Sequence, residues 1–75
     1  MTTTATAQAG ANVRAEMARR SVRQVKIADH LGMSQAAISA RLCGRTPFNI
    51  NELAAIAKYL DIPLGVLTST ERAAS

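Results

Sequence analysis

The sequence predicts an all-α protein, a compact bundle of four to five helices, and three observations carry that prediction. Fifteen of the 75 residues are alanine, the residue that favours helix most strongly. Only Phe48 and Tyr59 are aromatic, so a core has to come from closely approached helices bearing Leu, Ile, Val, Met and Ala. Apolar residues also recur at three- and four-residue spacing between capping and stop signals. A chain this short buries only about 60–65% of the surface its unfolded form exposes, which limits it to one domain.

The elements follow in order from periodicity and caps. Residues 1–8 are Thr/Ala-rich without an apolar period, and residues 69–75 are small or charged, so both read as flexible tails around a domain spanning residues 9–68. Val13 and Met17, four apart among good helix formers with Asn12 as an N-cap, place a first helix from about Ala9–Val13 to Arg20. Its basic last turn suits the helix dipole. The second helix has two candidate starts: Ser21-Val-Arg-Gln24 matches a capping box, whereas the apolar period Ile27, Ala28, Leu31 fits a start at Arg23 or Gln24. Gly32 stops it. Ser34 caps a third helix, Gln35 to Cys43, whose inward face is Ile38 and Leu42, and Gly44 ends it. Asn49-Ile-Asn-Glu52 forms a capping box for a fourth helix, with Phe48 placed to staple onto Leu53 and with Leu53, Ile56, Ala57 and Leu60 at helical spacing. Pro63 suits the first turn of a short fifth helix carrying Leu64, Val66 and Leu67 inward. The expected core is Val13, Met17, Ile27, Leu31, Ile38, Leu42, Leu53, Ile56, Leu60 and Leu67.

Charge points to a polyanionic partner. The net charge is +4 with a sequence pI near 10.3, and Arg14 to Arg45 holds seven basic residues against two acidic ones. Other chemistries are disfavoured. His30 and Cys43 supply two soft ligands against the four of a structural zinc site, so no metal or other cofactor is expected. As a nucleophile–base pair they lie thirteen residues apart with no orienting third group, so no catalytic residue and no enzyme activity is expected. The lone cysteine leaves no intramolecular disulfide, which makes the cytoplasm the default compartment. No basic leader and no run of roughly 18 apolar residues points to a membrane.

A helix, a tight Gly-containing turn and a second short helix make a helix-turn-helix. Gln24 starts the unit, Ala28 sits where helices cross too closely for a larger side chain, Gly32 takes the turn and Ile38 anchors the second helix. The stretch Gln24-Val-Lys-Ile-Ala-Asp-His-Leu-Gly-Met-Ser-Gln-Ala-Ala-Ile-Ser-Ala-Arg-Leu-Cys-Gly44 resembles the lambda-type phage repressor and Cro helix-turn-helix family, also called the xenobiotic-response-element family. The resemblance covers about Val13 to Leu67. Pro47-Phe48, Asn51-Glu-Leu-Ala-Ala-Ile-Ala57 and Leu60-Asp-Ile-Pro63 further resemble actinobacterial and actinophage members. It implies a lambda-repressor-like DNA-binding domain in which Gln24 bonds a phosphate and braces Gln35, and Gln35 reads a base edge, as Gln pairs with adenine N6 and N7.

Helical geometry gives a separate estimate of the DNA side. Advancing about 100° per residue from Ile38, Leu42 falls on the core side, and Ala36, Ser39, Ala40 and Cys43 fall on or beside the opposite arc. Gln35 and Ser34 stand at the N-terminal end of the same helix, and the expected base contacts are Ser34, Gln35, Ala36, Ser39 and Ala40, with methyl contacts from the alanines and one bidentate reader, Gln35. The expected phosphate contacts are Gln24, Arg23, Lys26, Arg41, Arg45 and Thr46. Three positions depart from the family pattern. Arg41 replaces an often apolar residue and reads as a phosphate contact or a solvated edge. Cys43 stands where related repressors can carry a phosphate-contacting Asn, and Arg23 replaces the usual cap before Gln24. Arg14, Lys58 and Arg72 read as a solvated face, Arg19 and Arg20 are balanced between the two roles, and His30, next to Asp29, reads as a surface residue or a local hydrogen-bond partner.

The expected function is sequence-specific binding of double-stranded DNA through the major groove. A phage or prophage Cro-like repressor is favoured, acting as a homodimer on an operator in the cytoplasm and nucleoid of a bacterial host. An antitoxin or host-type regulator with a protein partner is the first alternative. A helical protein-interaction module that binds no DNA is the second.

Overall fold

The computed structural model describes residues 5–69, with side chains from Gln8 onward, and these residues form five helices and no strand. The helices are α1 (Ala5–Arg19), α2 (Gln24–Leu31), α3 (Gln35–Leu42), α4 (Ile50–Leu60) and α5 (Leu64–Thr68). The all-α bundle expected from composition and periodicity is the observed architecture. The expected tails lie largely outside the described residues.

One closure ends each of the first four helices. A residue two or three past the helix end donates its N–H to the carbonyl five residues before it: Val22 to Met17, Met33 to Ala28, Arg45 to Ala40 and Ile62 to Ala57, each at 2.9 Å. This closure puts the intervening residue in the left-handed region. Gly32 (φ 68°) takes that role after α2, as its position in the sequence implied, but Ser21 (φ 55°) and Asp61 (φ 59°) take it after α1 and α4. Ser21 is thus spent on ending α1, which rules out the Ser21 capping box and leaves α2 to start at Gln24 with Arg23 as its N-cap. The Asn49 box on α4 forms as expected: Glu52 N–H donates to Asn49 Oδ1 at 2.7 Å, and Asn49 N–H donates to Glu52 Oε1 at 3.0 Å.

The start of α1 is a correction. The helix begins at Ala5, inside the segment expected as a tail, because alanine sustains helix without any large apolar residue to register in the pattern. Asn12 is consequently not a cap. It sits mid-helix and buried, accepts from Gln8 Nε2 at 2.9 Å, and donates from Nδ2 to the carbonyls of Leu67 (3.0 Å) and Ser69 (2.7 Å). A buried amide without partners would be costly. Here the amide ties the first helix to the end of the last.

The core gathers Val13, Met17, Ile27, Ala28, Ile38, Leu42, Leu53, Ile56, Leu60 and Leu67, with Leu31, Phe48 and Leu64 half-buried against it. Val66, expected inward, is only half-buried and outside that cluster. In that five-residue helix the buried residue is Leu67, the immediate neighbour of Val66. Helix α1 packs on α3 and α5, and α2 packs on α3 and α4, so α3 is held between α1 and α2. Gly10 sets its distance from α1. A Cβ there would stand 2.6 Å from the Leu42 carbonyl oxygen and 2.8 Å from that of Arg41, inside any permitted contact.

Candidate nucleic-acid interface

The expected unit, bracing helix, Gly32 turn and second helix, is present as α2 and α3. Ser34 caps α3 as its residue type predicts: its Oγ accepts from Ala37 N–H at 3.1 Å, which leaves the hydroxyl proton for another acceptor. With Ile38 and Leu42 buried, the opposite arc of α3 faces outward. Ser34, Gln35 and Ala36 are exposed and Ser39 and Ala40 are half-buried, so none of the five expected base-facing residues is buried in the core.

The N-terminus of α2 lies next to that surface. Arg23, Gln24, Val25 and Gln35 line one open concavity of about 420 Å³. Gln24 and Gln35, eleven residues apart, therefore converge at a single site. Arg23 makes no side-chain cap for α2 and lines the concavity. Val25, which had no feature in the sequence to single it out, is the apolar member of that lining.

At the other end of α3 the loop is tightly pinned. Ala40 O accepts from Arg45 N–H (2.9 Å) and Thr46 N–H (3.2 Å), holding Thr46 half-buried and Arg45 exposed beside the outward face. Arg45 Nε donates to Cys43 Sγ at 3.2 Å. That hydrogen bonding, from the Arg45 backbone first and its guanidinium second, lowers the Cys43 thiol below its ordinary value. Lys26 on α2 is exposed.

The remaining basic residues sort by geometry. Arg20 pairs with the buried Glu16 and donates Nε to the Leu60 carbonyl at 3.2 Å, joining the ends of α1 and α4. Arg19 also pairs with Glu16, at 3.2 Å, with its side chain about two-thirds exposed. Arg41 points along the flank of α3 toward α4, where Nε donates to Glu52 Oε1 at 3.1 Å and Nη1 to the Ala37 carbonyl at 3.0 Å. Sequence reasoning missed Glu52 as the partner of Arg41, since that carboxylate was already accounted for by the capping box. Arg14 and Lys58 are exposed, and Arg72 lies outside the described residues. The His30 ring packs against Tyr59 with centroids 4.7 Å apart and planes tilted by 37°. Among the described residues, no group of three or more His, Cys, Asp or Glu side chains is placed to hold a metal ion. No described helix is long and apolar enough to cross a membrane.

Residues 13–67, well over half of the chain, match the family model described as helix-turn-helix. The chain belongs to the helix-turn-helix family. Neither a curated protein nor a solved structure matches it. Membership places the chain with lambda repressor-like DNA-binding regulators, whose partner is double-stranded DNA. Within the helix-turn-helix frame, α2 is the bracing helix and α3 the recognition helix.

Proposed function

We propose that this helix-turn-helix protein is a sequence-specific repressor of the phage or prophage Cro type, which occupies an operator and excludes polymerase. The observation that carries the reading is the convergence of Gln24 and Gln35 on one concavity at the exposed N-terminal end of the recognition helix. A duplex laid there has phosphates beside Arg23, Gln24, Lys26, Arg45 and Thr46, and base edges before Ser34, Gln35, Ala36, Ser39 and Ala40. Gln35 reads adenine, and the methyl groups of Ala36 and Ala40 meet thymine methyls. One such small surface discriminates modestly, so two copies act on a pseudo-palindromic operator with half-sites about 34–36 Å apart. The working compartment is the bacterial cytoplasm, at the nucleoid.

Selection from a pool of random duplexes tests this reading. The expected product is a two-fold symmetric site bound by two copies, with affinity that falls steeply with salt at about 0.9 logarithmic units per phosphate neutralised. Equal affinity for every duplex, or none, overturns it in favour of a protein-interaction module. Sedimentation showing single copies both free and on the selected duplex overturns the homodimer.

A further inference from the structure

We infer that Arg41 is a positioning residue for the recognition helix, held by Glu52 of α4, and not a contact to DNA. The inference rests on the proposed docking of α3 in the major groove. Arg41 sits about 60° from Ile38 around the helix, on the edge between the core face and the outward arc. Its guanidinium fork is occupied on two sides, by Glu52 Oε1 and by the Ala37 carbonyl of its own helix. Its side chain is 21% exposed and that of Glu52 15%, so the pair is largely withdrawn from solvent. Glu52 is itself fixed, because the same Oε1 accepts the Asn49 N–H that opens α4. The chain of contacts thus runs from the backbone of α3, through a planar two-point fork, to the backbone at the start of α4.

The rotation of α3 about its own axis decides whether Gln35, Ala36 and Ala40 present to bases squarely. Ile38 and Leu42 anchor one side, and the close approach at Gly10 sets the end nearest α1. Apolar contacts are non-directional and allow an eight-residue helix to roll. The Arg41–Glu52 fork supplies the directional restraint on the flank toward α4. A half-buried ion pair of this kind adds little net stability, since desolvation offsets attraction, but it fixes geometry.

The test uses the duplex recovered by selection, an unrelated duplex of equal length, and the variants Arg41→Met, Glu52→Gln, Glu52→Ala and Arg41→Met/Glu52→Ala. Arg41→Met is expected to retain the cooperative melt and the salt slope while its preference for the selected duplex falls roughly fivefold or more, the scale of one impaired base contact. Glu52→Gln keeps both the capping box and an acceptor for Arg41, and retains most of the preference. Glu52→Ala loses it, and the double variant is no worse than the poorer single one, as for one coupled unit. A slope shallower by about 0.9 in Arg41→Met makes Arg41 a phosphate contact and overturns the inference. Unchanged preference in Arg41→Met, or losses that simply add in the double variant, overturn it as well. If the unaltered protein prefers no duplex, it is the docking reading that fails, a result separate from these.

Discussion

The Asn12 side chain reaches across 55 residues of sequence to hold the Leu67 carbonyl, 3.0 Å from its Nδ2. With the Ser69 carbonyl on the same amide, one side chain closes the bundle by fastening its last helix to its first. Asn12→Ala strands two carbonyls and the Gln8 amide in a buried setting. The expected loss is roughly 2–3 kcal/mol, measured by urea unfolding, and hydrogen exchange should rise first in α5. A loss below about 0.5 kcal/mol would show that solvent replaces the amide there.

Gly10 tests the seating of the recognition helix. On propensity alone Gly10→Ala gains about 1 kcal/mol in a helix interior. The new Cβ would stand 2.6 Å from a backbone oxygen of α3, and forcing such a clash costs typically 1–3 kcal/mol. The net expectation is a lowered melting temperature, with α3 pushed away from α1 and a weakened preference for the selected duplex. A raised melting temperature would show that α1 and α3 separate without penalty.

The α4 terminus makes a prediction of opposite sign. Asp61 has φ 59° and sits at the negative end of the α4 dipole, unfavourable on both counts. Asp61→Gly is therefore expected to stabilise by about 1 kcal/mol, less what the more flexible unfolded chain returns. Thermal unfolding decides it, and a drop in stability would mean that the carboxylate has a stabilising partner.

Base reading and phosphate attraction separate at Gln35 and Lys26. Gln35→Ala should lose roughly 1–3 kcal/mol of preference for the selected duplex with the salt slope unaltered. Lys26→Ala should weaken all duplexes alike and flatten the slope by about 0.9. Titrations at several salt concentrations check both, and the reverse pattern would exchange the two roles.

At Cys43 the lowered thiol value means more thiolate at neutral pH than an ordinary exposed cysteine carries. The pH profile of alkylation should have its midpoint below the ordinary value, and Arg45→Ala should move it upward because the hydrogen-bonding guanidinium is gone. Identical profiles for the two proteins would show that Arg45 does not hold the thiolate in solution.

The local geometry of the candidate site was legible along the chain where its parts are close in sequence. Ser34 caps through its own helix, Asn49 and Glu52 close a box three residues long, and Gln24 and Gln35 sit on either side of one turn. The early start of α1 escaped because alanine helices carry no large apolar residue to set a period. The Ser21 and Asp61 closures escaped because only a packed bundle holds those residue types in the left-handed region.

What the sequence by itself determined is the helical class, the capping boundaries of α3 and α4, the Gly32 turn and the outward arc of the recognition helix. These depend on interactions within a few residues, which residue type and spacing encode directly. Tertiary structure alone decided that Asn12 is a buried clamp, that Gly10 admits α3, that Arg20 serves Glu16 and Leu60, and that Arg41 answers to Glu52. Each of those needs two elements brought together by core packing. The seven basic residues between Arg14 and Arg45 therefore do not form one uniform patch, because folding commits some to carboxylates and carbonyls of the same chain and leaves Arg14, Arg23, Lys26 and Arg45 on the surface.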